Sequence, residues 1–201
     1  MKYYYPDGSE CNKEAFVNFY SKMYFYFQND DNEDYIYGLF KEKLLKAEIV
    51  KILEWKTGVK ANAGIIKARG KDIKLEDLKA LTYKNADDFL NRINKIDGVG
   101  SIYMITLLFF ASKGQYPIYD QFADKALWAI KKDKTPRSKV DDYKGFPDKK
   151  SNYWKKYKDD DDSYCNRLDE VASDLREDYK GCTNEHRKLD RALWVYGHMF
   201  K

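Results

Sequence analysis

Two short stretches carry the residue types from which chemistry could be built. The first is Gly98-Val99-Gly100-Ser101, two glycines around one valine followed by a hydroxyl. Such a turn lets the backbone adopt positive φ at either glycine, and nothing bulky blocks a close approach to its N–H groups. The second is Asp120, which follows Gly100 by 20 residues and heads the helical pattern Gln121 to Ile130. A carboxylate there can cap the helix, a role worth about 1 kcal/mol. It can also act on water or stabilise developing positive charge.

The elements that must position these residues are legible from periodicity. Asn85-Ala86-Asp87-Asp88 has the form of a capping box, an acceptor followed three residues later by an acid. Phe89, Leu90, Ile93 and Ile96 follow at helical spacing. After the glycines, Ser101 is placed to cap a helix over 102–113 that is apolar on nearly every face, from Ile102 and Met104 to Phe109 and Phe110. That run is too short to span a bilayer, which takes about 20 apolar residues, so it reads as a central core helix. Gly114 ends it and Pro117 prevents its resumption.

The ordered set of Ile96-Asp97-Gly98-Val99-Gly100, an apolar helix, and Pro117-Ile118-Tyr119-Asp120 at a helix start resembles the helix-hairpin-helix DNA glycosylase superfamily. The resemblance covers residues 85–131 and extends to the rest only as a compatible helical pattern. It implies an all-α domain over 1–201, in which two helical lobes pack around the central helix. It implies a DNA N-glycosylase that removes a modified base, with Asp120 as the catalytic carboxylate and duplex DNA as partner. Gly98, Val99, Gly100 and Ser101 would then hold a backbone phosphate through amides and a helix N-terminus. Strand-cleaving members carry a lysine in or just after the hairpin. Ile102 and Met104 hold those places here, so the implied enzyme is monofunctional. Asp97 stands where the family commonly has proline, which puts a negative charge beside the phosphate site. No organic cofactor and no essential metal is implied, although hairpins of this type often hold a monovalent cation. Two alternatives stay open on the residues alone: a non-catalytic DNA-binding protein in which Asp120 is only a cap, and a helical protein-interaction scaffold with structural glycines.

The remaining composition narrows the class without choosing among these. The chain has 201 residues, of which 43% are hydrophobic and 16% aromatic, enough for a sizeable core. Charged residues make up 35% with a net charge of +4, which permits nucleic-acid binding without requiring it. No membrane-length apolar stretch and no signal-peptide pattern appears, so a monomeric, cytoplasmic protein is expected. Cys11, Cys165 and Cys182 are too scattered for a disulfide framework or an iron–sulfur cluster. His186 and His198, 12 residues apart, have no partner at a metal-like spacing.

Helices are expected over 12–28, around Tyr35 to Leu45, from Ala47 to Lys56 with Gly58 closing it, near Leu75 to Leu81, over 163–179 from a Ser163 cap, and over about 184–200. No strand alternation of useful length is visible. Residues 131–162 read as a polar loop or insertion: Lys131 to Lys139 is basic, Tyr153 to Lys158 interleaves aromatic and basic residues, and Asp159 to Asp162 is acidic. Trp55 with Lys56 could contact DNA, but an aromatic ending an amphipathic helix reads as core; the aromatic stripes Tyr24–Phe27 and Tyr35–Tyr37 read as packing too, with one ring a candidate to stack on an extruded base.

Overall fold

The computed structural model describes residues 1–27, 41–68, 71–145, 153–173 and 184–200. Among the described residues the protein is mostly helical, with three small two-stranded antiparallel ribbons. The helices are α1 (Lys13–Phe27), α2 (Lys46–Thr57), α3 (Ala86–Ile93), α4 (Ser101–Ala111), α5 (Gln121–Lys131), α6 (Tyr164–Val171) and α7 (Asn184–Gly197). The strands are β1 (Tyr3–Tyr4) with β2 (Glu10–Cys11), β3 (Lys43–Leu44) with β6 (Leu81–Thr82), and β4 (Ile65–Ala68) with β5 (Lys71–Lys74). Contacts divide the chain into two compact units. One comprises Met1–Asp31, Tyr119–Pro147 and Ser151–Lys201; the other comprises Asn32–Ile118 and Asp148–Lys150.

In the first unit, α7 packs against α1 and α5, and α6 packs against α5. Its core is aromatic. Phe16, Tyr20 and Tyr196 are fully buried and meet edge-on or tilted at centroid separations of 4.9 to 5.1 Å. Buried phenols need partners: Tyr20 donates to the Tyr4 carbonyl at 2.9 Å and Tyr196 to the Lys134 carbonyl at 3.2 Å. The segment expected as a solvated loop contributes to this unit. Tyr153 and Tyr157 are buried, the latter completely, within a short helical stretch that ends in a π-helical turn over Lys155–Asp159. The lysines of that cluster are exposed and Trp154 is half-buried, with Lys158 Nζ 5.7 Å from the Trp154 ring. The alternating sequence therefore encodes an amphipathic turn whose two tyrosines are core, not a fully solvated loop. Ser163 does cap α6, accepting the Asn166 N–H at 3.3 Å. Most of the expected continuation toward residue 179 lies outside the described residues.

In the second unit, α2 and α3 pack against α4, and β4 packs against α2. Ile49, Ile52 and Leu53 from α2, Phe89 and Ile93 from α3, and Ile105, Leu108 and Phe110 from α4 are fully buried. Trp55 meets Phe110 edge-on at 6.0 Å, a packing contact. Glu48 accepts the Leu45 N–H at 2.7 Å, which stands in for a cap at the start of α2, and Gly58 closes that helix at φ +69°. Two expectations fail in this unit. The stretch that begins at Gly64, where the sequence shows no strand alternation, is the start of the β4–β5 ribbon, in which the fully buried Ile66 and Ile73 sit in register. Near Leu75–Leu81 there is a single 3-10 turn, Leu75–Asp77, before β6. Its short run of apolar residues is buried at single positions, Leu78 and Leu81, instead of along a helical face. The helix expected around Tyr35 falls largely outside the described residues, and its last part, Leu44, is in β3.

Candidate functional site

The hairpin turn is built in the second unit by α3, residues 94–100 and α4. Asn85 caps α3 as its sequence predicts, its Oδ1 accepting the Asp88 N–H at 2.9 Å. The two glycines then part roles. Gly98 has φ +79°, and a Cβ there would lie 2.4 Å from the Asp72 carbonyl oxygen and 3.0 Å from the Ile73 Cα. Gly98 is therefore where the β5 backbone meets the turn. Gly100 has φ −78° and ψ 171°, an ordinary extended conformation, and a Cβ on it would meet nothing within 4 Å. Val99 between them is completely buried.

Ser101 departs from its expected part. Gly100, not Ser101, occupies the cap position of α4, and no cap side chain accepts from the first turn of that helix. Ser101 is its first helical residue, 6% exposed, with Oγ lacking a hydrogen-bond partner among the described residues. The physical reason is the extended backbone of Gly100, which puts the cap one residue earlier. The start of α4 consequently presents backbone N–H groups and the positive end of the helix dipole beside an unobstructed glycine. The Asp97 charge next to it is offset by Lys71, whose Nζ is 3.7 Å from Oδ1, and that same oxygen accepts the Gly98 N–H at 3.0 Å. Both partners are exposed, so the pair contributes little to stability.

Asp120 lies in the first unit, and the hairpin in the second. Asp120 is the N-cap of α5, at φ −133° and ψ 135°, with Oδ1 accepting the Phe122 N–H at 2.8 Å. It is partly exposed. Three features that sequence reading missed set the position of this helix end. Gly197 of α7 is seated on Phe122: a Cβ there would lie 1.9 Å from the Phe122 carbonyl oxygen and 2.5 Å from its carbonyl carbon. Next to it, His198 stacks on the Phe122 ring at 3.4 Å between centroids and lies tilted at 46° to the Trp194 ring at 3.9 Å, its Nδ1 bonded to the Trp194 carbonyl at 2.8 Å. His198 is thus an exposed helix-end histidine engaged with rings and backbone. The side chain of His186 lies outside the described residues.

The third feature is a buried polar cluster one turn into α5. Asp124 is 4% exposed. Its Oδ2 accepts the Tyr119 hydroxyl at 3.0 Å and the Tyr143 hydroxyl at 2.8 Å, and its Oδ1 accepts from Arg167 Nη2 of α6. Arg167 also donates to the Asp162 carbonyl and lies 3.5 Å from the Asp162 carboxylate, which Lys131 reaches at 3.0 Å. Burial, reinforced by the Asp124 charge, raises both phenols well above the ordinary tyrosine range, so each is a hydrogen donor at any working pH. Burial alone would raise the Asp162 carboxyl, but the Lys131 hydrogen bond and the Arg167 charge outweigh it and hold the group below its usual value. The available sequence signal was an acid at four-residue spacing from Asp120, which places both on one face of the helix.

Among the described residues no group of three or more His, Cys, Asp or Glu is placed to hold a metal ion, and no helix is long and apolar enough to cross a membrane. Cys165 is partly buried, and burial pushes its thiol up to about 12, far from a reactive thiolate. Compared with protein-family models, with curated proteins and with solved structures, the chain matches none.

Proposed function

We propose that this chain is a monofunctional DNA N-glycosylase of the helix-hairpin-helix type, acting on a modified base in duplex DNA. The observation that carries the reading is the hairpin itself: a helix–turn–helix whose second helix begins at an unobstructed Gly100 with no side-chain cap on its first amides. A phosphate is the natural ligand for such an end. The aspartate at the head of the next helix, Asp120, supplies the second element of the resemblance.

In this reading the hairpin anchors the duplex and Asp120 carries the chemistry. Gly98, Val99, Gly100 and Ser101 position the strand through backbone groups, which fix register and read no sequence. The target nucleotide is extruded, since its glycosidic bond is unreachable within the stack. As the bond from C1′ to the base nitrogen breaks, the base leaves with the electron pair. The Asp120 carboxylate stabilises the cationic sugar and accepts a proton from the water that attacks C1′. With Ile102 and Met104 in place of lysine, no Schiff base forms and the strand is left intact at an abasic site. A monovalent cation, if bound beside the phosphate, would rest on carbonyl oxygens of the turn, and no step depends on it. The protein works as a monomer on cytoplasmic DNA.

A non-catalytic DNA-binding role has one observation in its favour: the cap bond to Phe122 is by itself a sufficient reason for an acid at position 120. Asp120→Asn separates the two. Asparagine caps helices as well as aspartate does, so fold and duplex affinity should stay within a few-fold of the parent while excision, read as abasic sites in a panel of modified duplexes, is abolished. Undiminished excision by Asp120→Asn would refute the assignment of Asp120, and no excision by the unaltered protein would leave DNA binding alone.

A further inference from the structure

We infer that Asp124 is a positioning residue, tethering the Tyr119 hydroxyl so that the Tyr119–Asp120 backbone, and with it the Asp120 carboxylate, is fixed at the head of α5. Asp124 touches no proposed substrate position; it acts through Tyr119. The consequence for catalysis rests on the glycosylase reading, while the tether itself does not.

Asp120 sits on extended backbone at the cap position, its carboxylate accepting the Phe122 N–H and its carbonyl the Asp124 N–H at 2.9 Å, both bonds within the first turn. Tyr119, immediately before it, is completely buried and sends its hydroxyl past the first turn to Asp124. Asp124 is in turn held from three directions. Tyr143 bonds the same oxygen and also reaches the Gln121 carbonyl at 3.3 Å, binding the segment after α5 to the first turn of the helix. Arg167 holds the other oxygen from α6. The Asp124 carboxylate therefore gathers a donor from before the helix, one from after it, and one from a neighbouring helix.

Stability alone is a poor reason for this arrangement. A buried ion pair is often no better for folding than apolar side chains of the same volume, because both charges lose water. What such a pair does supply is direction: its geometry is specified in a way that apolar contact is not. Catalysis has a use for direction, since a displacement of about 1 Å in a reacting group costs on the order of 100-fold in rate.

Tyr119→Phe is the decisive variant, because it removes only the tethering hydroxyl and leaves Asp124 with Tyr143 and Arg167. The first readout needs no activity. Hydrogen exchange of the Phe122 amide, which Asp120 accepts, should speed up by at least about 10-fold in Tyr119→Phe, while the amide of Leu127 deeper in α5 keeps its protection. The second readout is excision: kcat should fall by about 10- to 100-fold with duplex affinity unchanged. Asp124→Asn, which weakens the tether from its other end, should reproduce the Phe122 change if the variant folds. Unchanged Phe122 protection in Tyr119→Phe would overturn the inference, as would lost protection with undiminished excision. If the unaltered protein excises nothing, the proposed function fails, and the tether is then judged on Phe122 exchange alone.

Discussion

Replacing the two hairpin glycines one at a time should give opposite results, although their sequence context is nearly symmetrical. At Gly98 the residue must keep φ +79°, which costs an L-residue about 1–2 kcal/mol. An added Cβ would also sit 2.4 Å from the Asp72 oxygen, at least 0.6 Å inside the 3.0 Å below which such contacts essentially never occur. The obstacle is backbone. It is held in register by the Lys67–Asp72 and Ile66–Ile73 pairs, with both isoleucines fully buried. Overpacking of this kind costs about 1–3 kcal/mol, against which alanine recovers about 0.4–1 kcal/mol by restricting the unfolded chain. Gly98→Ala should therefore lose roughly 2–4 kcal/mol, a fall in Tm of about 5–15 °C for a chain of this size. At Gly100 neither penalty applies, and the small cost of alanine at a cap position is offset by the same gain in the unfolded state, leaving a change within about 1 kcal/mol. Thermal melts followed by far-UV circular dichroism decide between these outcomes. A Gly98→Ala protein melting with the parent would refute the packing argument. The folded Gly100→Ala protein then tests the phosphate site cleanly. Its duplex affinity should fall equally for modified and unmodified DNA, and its salt slope should become shallower by about 0.9 for each phosphate no longer held. Unaltered affinity and slope would make the turn a packing device only.

Gly197→Ala should cost upward of roughly 3 kcal/mol, since the new Cβ would overlap the Phe122 backbone and neither helix has a flexible atom to move aside; a melt within a degree or so of the parent would refute this. Acid should weaken the second unit through Glu48 and Glu54. The Lys41 hydrogen bond and then the Leu45 N–H lower Glu48, and the Ala61 N–H at 2.7 Å lowers Glu54, so both fall below the ordinary 4.5. The stabilisation from such groups is complete above that value and disappears as pH falls through the depressed values in the folded state. Glu48→Gln should therefore flatten the acid limb of stability against pH, and an unchanged limb would count against the assignment. Borohydride should trap no covalent adduct on a modified duplex, because Ile102 and Met104 supply no amine; an adduct seen by electrophoresis would point to a lysine elsewhere.

What the sequence determined by itself was local. The Asn85 cap, the apolar helix Ser101–Ala111, the closure of α2 at Gly58 and the capping geometry of Asp120 all depend on residues within about four positions of one another. Backbone hydrogen bonding and steric limits on φ decide such features without help from the rest of the chain. The tertiary structure decided whatever depends on a distant neighbour. That Gly98 is closed off and Gly100 open follows from a ribbon 26 residues upstream, at Asp72, in a stretch with too little alternation to be read as strand. Ser101 lost the cap because the neighbouring glycine is extended instead of left-handed. Tyr153 and Tyr157, in a stretch that reads as a polar loop, are buried by the fold, since an aromatic beside a lysine has the same pattern on an amphipathic turn as on a solvated loop. Asp124, written among charged and apolar residues of an amphipathic helix, became a buried anchor only when Tyr119, Tyr143 and Arg167 converged on it. Those donors come from 5 residues before it, 19 after and 43 after. No window of sequence holds them together; burial does, because a carboxylate removed from water must collect its hydrogen bonds from whatever the packing brings within reach.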